Sequence, residues 1–115
     1  MKLSDQAAKP IVKGMAPLSR TEAETLIRDI PAWKLEENSI TREYRFRDFR
    51  EAIDFVYKIA AIADEQDHHP DIFNSYNKVK LTLSTHKIGG LSMNDFIVAA
   101  KIDLLVEKSR STIAA

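Results

Sequence analysis

Apolar residues along this chain follow two different periods, and the places where the period changes mark its elements. Ser19 and Glu22 have the spacing of a capping box. Ala23, Leu26, Ile27 and Ile30 follow at helical spacing as far as Pro31, which pushes the residue before it out of the α region. From Trp33 to Phe46 the period shortens: Trp33, Leu35, Ile40, Tyr44 and Phe46 alternate with polar residues around Glu36, Glu37, Asn38 and Ser39, which predicts a hairpin. Asp48 is placed to cap a second helix. Its apolar residues Phe49, Ala52, Ile53, Phe55, Val56, Ile59, Ala60 and Ala63 form a face wider than one core stripe. The expected division puts Phe49, Ile53, Val56 and Ala60 against a sheet and turns Ala52, Phe55, Ile59 and Ile62 outward, toward another subunit. A polar stretch from Asp64 to Asp71 closes this helix and holds His68, His69 and Pro70.

Ile72–Tyr76 and Val79–Thr85 predict a second strand pair. In the latter, Val79, Leu81, Leu83 and Thr85 share one face while Lys80, Thr82, Ser84 and His86 share the other, so His86 leaves the core side. Gly89 and Gly90 break the chain, and Ser92 with Asp95 repeats the capping spacing before a last helix carrying Phe96, Ile97, Ala100, Leu104 and Leu105. The predicted order is α-β-β-α-β-β-α, an α+β fold. Residues 1–18 contain Pro10, Gly14 and Pro17 and no sustained period, so they are expected to form a flexible or loosely docked arm before a single domain over 19–115.

Composition narrows the class of protein. A chain of 115 residues, 44% hydrophobic and 30% charged, is expected to fold around one core, with too few consecutive apolar residues to span a membrane. Its 17 basic and 17 acidic residues cancel, which removes the global positive field that draws proteins to nucleic acid or to anionic membranes. Without cysteine there are no disulfides, thiolate metal sites or thiol nucleophiles. The first residues lack the apolar core of a secretory signal, and the cytoplasm is the expected compartment.

The chemistry concentrates in one place. All three histidines, His68, His69 and His86, flank the second strand pair. Imidazole both gives and takes a proton near neutrality, with an unperturbed pKa of about 6.5, so two of them opposed across a substrate form an acid and a base. Two other readings stand beside that one: a structural His-His-Pro turn, and a three-histidine zinc site with an open position, against which the absence of a helical His-x-x-x-His pair counts. Asp95 serves as a helix-capping residue and is also placed to orient a histidine or receive a substrate donor. Asp64 and Asp67 sit at a helix C-terminus, which a carboxylate disfavours, a small cost that points toward use. Tyr76 reads as a packed strand aromatic or a ligand contact, and Trp33 as core.

The stretch from Asp64 to Asp103, DEQDHHPDIFNSYNKVKLTLSTHKIGGLSMNDFIVAAKID, closely resembles the pterin-4a-carbinolamine dehydratase family. The similarity is carried by Asp64, the His68-His69-Pro70 run, Tyr76, the Ser84-Thr85-His86 run, Gly90, Leu91 and Asp95 at fixed spacings, and it extends upstream through Trp33 and the run Tyr44 to Phe49. Only the N-terminal arm lies outside it. The resemblance implies a four-stranded antiparallel sheet with three helices on one face. It also implies loss of the 4a-hydroxyl as water from a 4a-hydroxytetrahydropterin, in tetrahydropterin recycling, with no metal or other cofactor. His68 and His86 would then be the acid and base, His69 would bind the pterin, and Asp64, Asp67, Ser84, Thr85 and Asp95 would bind substrate or support the site. A homodimer or homotetramer is implied, as is an aromatic amino acid hydroxylase served by the pathway. The family also leaves open a transcriptional cofactor role, or a paralogue in another pterin pathway such as molybdenum cofactor metabolism. Some members carry an aromatic where this chain has Ile72 and an arginine where it has Asn94, departures expected to alter affinity rather than chemistry.

Overall fold

The computed structural model describes residues 2–113, with side chains described up to residue 107. Its elements are α1 (Arg20–Ile27), β1 (Lys34–Leu35), β2 (Ile40–Arg45), α2 (Phe49–Gln66), β3 (Asp71–Ser75), β4 (Lys78–Leu83) and α3 (Met93–Ile113). Two single 3-10 turns, Leu3–Asp5 and His86–Ile88, complete the order. The four strands form one antiparallel sheet in the order β1-β2-β4-β3. The α+β fold and the element order are those predicted.

Registration of β2 on β4 separates the two faces of the sheet. Ile40 lies opposite Leu83 and Tyr44 opposite Val79, all buried; Glu43 lies opposite Lys80 on the other face, where both are exposed. The apolar face is covered by helices, and α3 lies deepest among them. Phe96, Val98, Ala99 and Ile102 are fully buried because α3 packs against α2 and against the Leu3–Asp5 turn, whose Leu3 joins the core. The Leu3–Asp5 turn is therefore docked on the body of the protein, while residues 12–17 are exposed.

Ser19 caps α1 with both arms of the capping box formed. The helix ends at Ile27 rather than running to Pro31. Arg28, Asp29 and Ile30 instead donate to the carbonyls of Thr25, Leu26 and Ile27, a tightening into three-residue turns that readies the chain for the proline. Asp48 accepts the Glu51 N–H at 2.9 Å, a cap contributing about 1 kcal/mol to α2.

The phase of α2 is opposite to the expected one. Ala52, Phe55, Ile59 and Ala63 face the core, while Phe49 and Ile53 are 50% and 40% exposed. The aromatic residues of β2 and its exit decide this: Phe55 packs 4.8 Å from the Tyr44 ring and 4.9 Å from the Phe46 ring, fixing which side of the helix turns inward. A buried Ile59 secured in this way is worth about 2–5 kcal/mol against alanine. The helix also continues past Asp64 to Gln66. It ends in a Schellman motif in which the His68 N–H reaches the Ala63 carbonyl and the Asp67 N–H the Asp64 carbonyl, with Asp67 in the left-handed region at φ 50°.

Candidate active site

The Schellman turn delivers His68 and His69 to the start of β3. Because β3 and β4 are antiparallel with Asp71 opposite Thr82, the start of β3 adjoins the end of β4, where Ser84, Thr85 and His86 lie. A bridge between Thr85 and Gly90 folds the intervening residues into the 3-10 turn that begins at His86, so His86 leaves the sheet on an exposed turn. The first turn of α3 reaches the same end. His68, His69, His86, Asp67, Ser84 and Thr85 thus line one cleft of about 550 Å³, within the usual range of about 300–1,000 Å³ for small-ligand sites.

Asp95 does not line the cleft itself but lies buried behind its wall, where it joins His68 to Thr85. Its side chain is fully buried and accepts three hydrogen bonds: from the Ser92 N–H at 2.9 Å and the Thr85 hydroxyl at 2.8 Å on Oδ2, and from His68 Nε2 at 2.6 Å on Oδ1. The Thr85 hydroxyl has one hydrogen, given to Asp95, so at 2.7 Å the Ser92 hydroxyl donates to Thr85. Only half of the expected capping box therefore forms. Asp95 takes the Ser92 N–H, but the Ser92 hydroxyl is drawn to Thr85 and the Asp95 N–H turns to the Ser92 carbonyl. Paired with the carboxylate form of Asp95, which can only accept, His68 would carry its hydrogen on Nε2, leaving Nδ1 as its second ring nitrogen.

His69 makes the analogous contact at the surface, where its Nε2 lies 2.9 Å from Asp64 Oδ1. Both side chains are more than half exposed, so the pair orients the ring and adds no more than about 1 kcal/mol to stability. Asp67 lines the cleft beside them, and its backbone ends α2. The ring of His86 has no hydrogen-bond partner among the described residues. Among those residues no group of three His, Cys, Asp or Glu side chains is arranged to hold a metal ion, and the Nε2 atoms of His68 and His69 face different carboxylates. Nor is any helix among them long and apolar enough to cross a membrane.

Tyr76 is not part of this cleft. It occupies the two-residue turn between β3 and β4, 64% exposed, at the opposite end of a strand about 15 Å long. The departure at Ile72 also lies outside the cleft, whereas the one at Asn94 lies inside it. Trp33 is core, as expected, but also polar in role: its Nε1, the Tyr44 hydroxyl and the Arg42 guanidinium all donate to Asp103 Oδ1.

A family model described as pterin 4 alpha carbinolamine dehydratase matches residues 16–105, from just before α1 into α3 and including all three histidines. The chain belongs to this family. A protein of Rubrobacter xylanophilus, provisionally named pterin-4-alpha-carbinolamine dehydratase, is 43% identical over 104 residues, 90% of this chain and 97% of its own. One from Halorhodospira halophila with the same provisional name is 41% identical over 107 residues, 91% of this chain and 98% of its own. A solved structure from Brucella melitensis, called a transcriptional coactivator/pterin dehydratase, superposes with a TM-score of 0.73 at 34% identity, covering 77% of this chain and 97% of that one. The dehydratase-family match begins at residue 16, yet Ala8, Lys9, Pro10 and Ile11 line the cleft too. Sequence reasoning missed those four residues and Gln66, which binds the Ala8 N–H; no period or motif marks any of them.

Proposed function

We propose that this protein dehydrates 4a-hydroxytetrahydropterins to quinonoid dihydropterins, with His68 and His86 as the proton-transfer pair. The observation that carries the reading is the bond from His68 to the buried Asp95, in a cleft that also receives His69 and His86. In the carbinolamine, the carbon bearing the hydroxyl also bears a ring N–H. The C–O bond breaks as an acid protonates the leaving oxygen, the C=N bond forms from the nitrogen lone pair, and a base removes the nitrogen's proton. Atoms balance as one water. His68 suits the base: Asp95 holds its Nε2 hydrogen, so Nδ1 is the atom that accepts. His86, on its exposed turn, suits the acid that delivers a proton to the leaving hydroxyl. His69, braced by Asp64, binds the ring, while Thr85 and Ser84 complete the wall. Each general acid or base contributes about 10²- to 10⁴-fold, enough for a reaction that is already slow but finite in water. No metal or redox step enters this scheme, which serves tetrahydropterin recycling and, through it, an aromatic amino acid hydroxylase in the cytoplasm.

The test is the rate of carbinolamine dehydration by the purified protein. Activity is expected to survive exhaustive chelation and to fall in kcat for His68→Ala and His86→Ala, by on the order of 10²-fold or more, with His69→Ala acting chiefly on KM. Three variants with unchanged kinetics would remove the catalytic reading, and chelation that abolishes activity, restored by zinc, would replace it with a metal mechanism.

A second reading is favoured by a separate observation. Phe49, Ile53 and Tyr57 stand exposed on α2, and the open edge of β3 presents Phe73, 57% exposed. Those surfaces suit self-association into a dimer or tetramer, and they equally suit an interaction role like the one named for the Brucella melitensis structure.

A further inference from the structure

Residues 8–11 close one side of the histidine cleft, and they are held there by three separate clamps. Asn94 uses both ends of its carboxamide: Oδ1 accepts the Lys9 N–H at 2.9 Å and Nδ2 donates to the Lys9 carbonyl at 2.7 Å, the two-point pairing that one strand residue gives another. Gln66 Oε1 accepts the Ala8 N–H at 2.8 Å. Lys87 Nζ donates to the Ile11 carbonyl at 3.1 Å. Each clamp adjoins a site residue in sequence: Asn94 precedes Asp95, Lys87 follows His86, and Gln66 lies two residues before His68. Farther upstream the segment is anchored by buried Leu3 and by Lys101, which donates to the Ser4 carbonyl at 3.0 Å. Asn94 is itself 5% exposed, and its side chain has no other hydrogen-bond partner among the described residues, so its carboxamide is committed to holding this segment.

We propose that residues 8–11 are a strap forming part of the substrate-binding wall, and that Asn94 is the positioning residue that sets its place and hence the affinity for the ring. The inference rests on the pterin reading of the cleft. The chemistry of the strap fits a flat heterocycle. The Ala8 and Lys9 N–H groups and the Lys9 and Ile11 carbonyls are committed to the clamps and Pro10 has no N–H, so beside Lys9 the strap offers a ligand the apolar side chains of Ala8, Pro10 and Ile11. Such a surface receives the face of a bicyclic ring, leaving the polar edge and the 4a-hydroxyl to the histidines. Pre-ordering the strap before substrate arrives lowers the entropy lost on binding, so its release weakens affinity without altering proton transfer.

Steady-state dehydration kinetics of full-length wild type, Asn94→Ala and the strap variant Pro10→Gly/Ile11→Gly test this, alongside amide exchange at Ala8 and Lys9. Asn94→Ala should speed exchange at Lys9 at least about tenfold, and both variants should raise KM about tenfold, with the loss falling on KM rather than kcat. Wild-type KM in a variant whose Lys9 amide exchanges freely overturns the strap's role, as does a loss confined to kcat, which would mean that Asn94 acts through Asp95. Should Asn94→Ala fail to fold, the glycine variant decides alone: a raised KM supports the strap and an unchanged KM overturns it. An inactive wild type would remove the dehydratase reading and this inference with it, whereas an active wild type with unaltered KM in both variants removes the strap alone.

Discussion

Asp95→Asn changes one atom and is expected to separate catalysis from stability. The carboxylate now accepts from His68 at 2.6 Å, from Thr85 at 2.8 Å and from the Ser92 N–H at 2.9 Å while fully buried. An asparagine can keep its oxygen toward Thr85 and Ser92, which places its amide N–H groups toward His68. That ring must then accept on Nε2 and carry its hydrogen on Nδ1, so the atom proposed to take the substrate's proton is already occupied. The expected loss in kcat is on the order of 10²- to 10⁴-fold, the whole contribution of one general base. Stability moves less. Hydrogen bonds to a charged group fall from about 1.5–3 to about 0.5–1.5 kcal/mol each, but the penalty of several kcal/mol for burying a charge is relieved at the same time. The net change should stay within about 2 kcal/mol, a fall in Tm of less than about 15 °C for a domain of this size. Dehydration kinetics and thermal unfolding on the same preparation test both halves. Thr85→Val is the control, since it removes one donor yet leaves the His68 bond intact and should cost less than about tenfold in kcat. A folded Asp95→Asn protein with wild-type kcat would refute the role of Asp95 in setting the His68 tautomer.

Three further outcomes are expected. Burial, and after it the Asp103 carboxylate, push the Tyr44 phenol well above its ordinary value of 10.0, so the folded state resists an ionisation that the unfolded chain accepts. Stability from this group is complete below about pH 10 and is lost above it at up to about 1.4 kcal/mol per pH unit; denaturant midpoints at pH 9 and 11 measure this, and equal midpoints would contradict it. Gly90→Ala places a Cβ 2.8 Å from Pro17 Cβ, and because neither the proline ring nor the Thr85–Gly90 bridge yields easily, it should cost about 1–3 kcal/mol by thermal unfolding; an unchanged Tm would mean that residue 17 moves freely. Light scattering at micromolar concentration should give a mass above the 13.0 kDa of one chain, reduced by Ile53→Asp on the exposed side of α2; a monomeric wild type would refute assembly.

The order of elements was legible in the chain because local rules govern it: caps at Ser19 and Asp48, strand alternation from Val79 to Thr85, and a glycine pair before the last helix. The clustering of the three histidines was legible by type and spacing, since they fall at the two ends of strands that pair, and antiparallel pairing of β3 with β4 brings those ends together around one cleft. Which side of α2 faces inward was not, because apolar residues occupy both sides and only the rings of Tyr44 and Phe46, distant in sequence, select Phe55 over Phe49. Tyr76 shares its motif with the histidines, yet a whole strand length separates it from them. The division of labour among the carboxylates likewise belongs to the tertiary structure: Asp95 and Asp64 each had a local explanation, and only the folded chain gives His68 to the first and His69 to the second. The segment before Ser19 carries no period at all. Its place against the cleft is decided by Asn94, Gln66 and Lys87, side chains that bind backbone rather than a sequence pattern, and backbone groups leave no trace in the sequence that presents them.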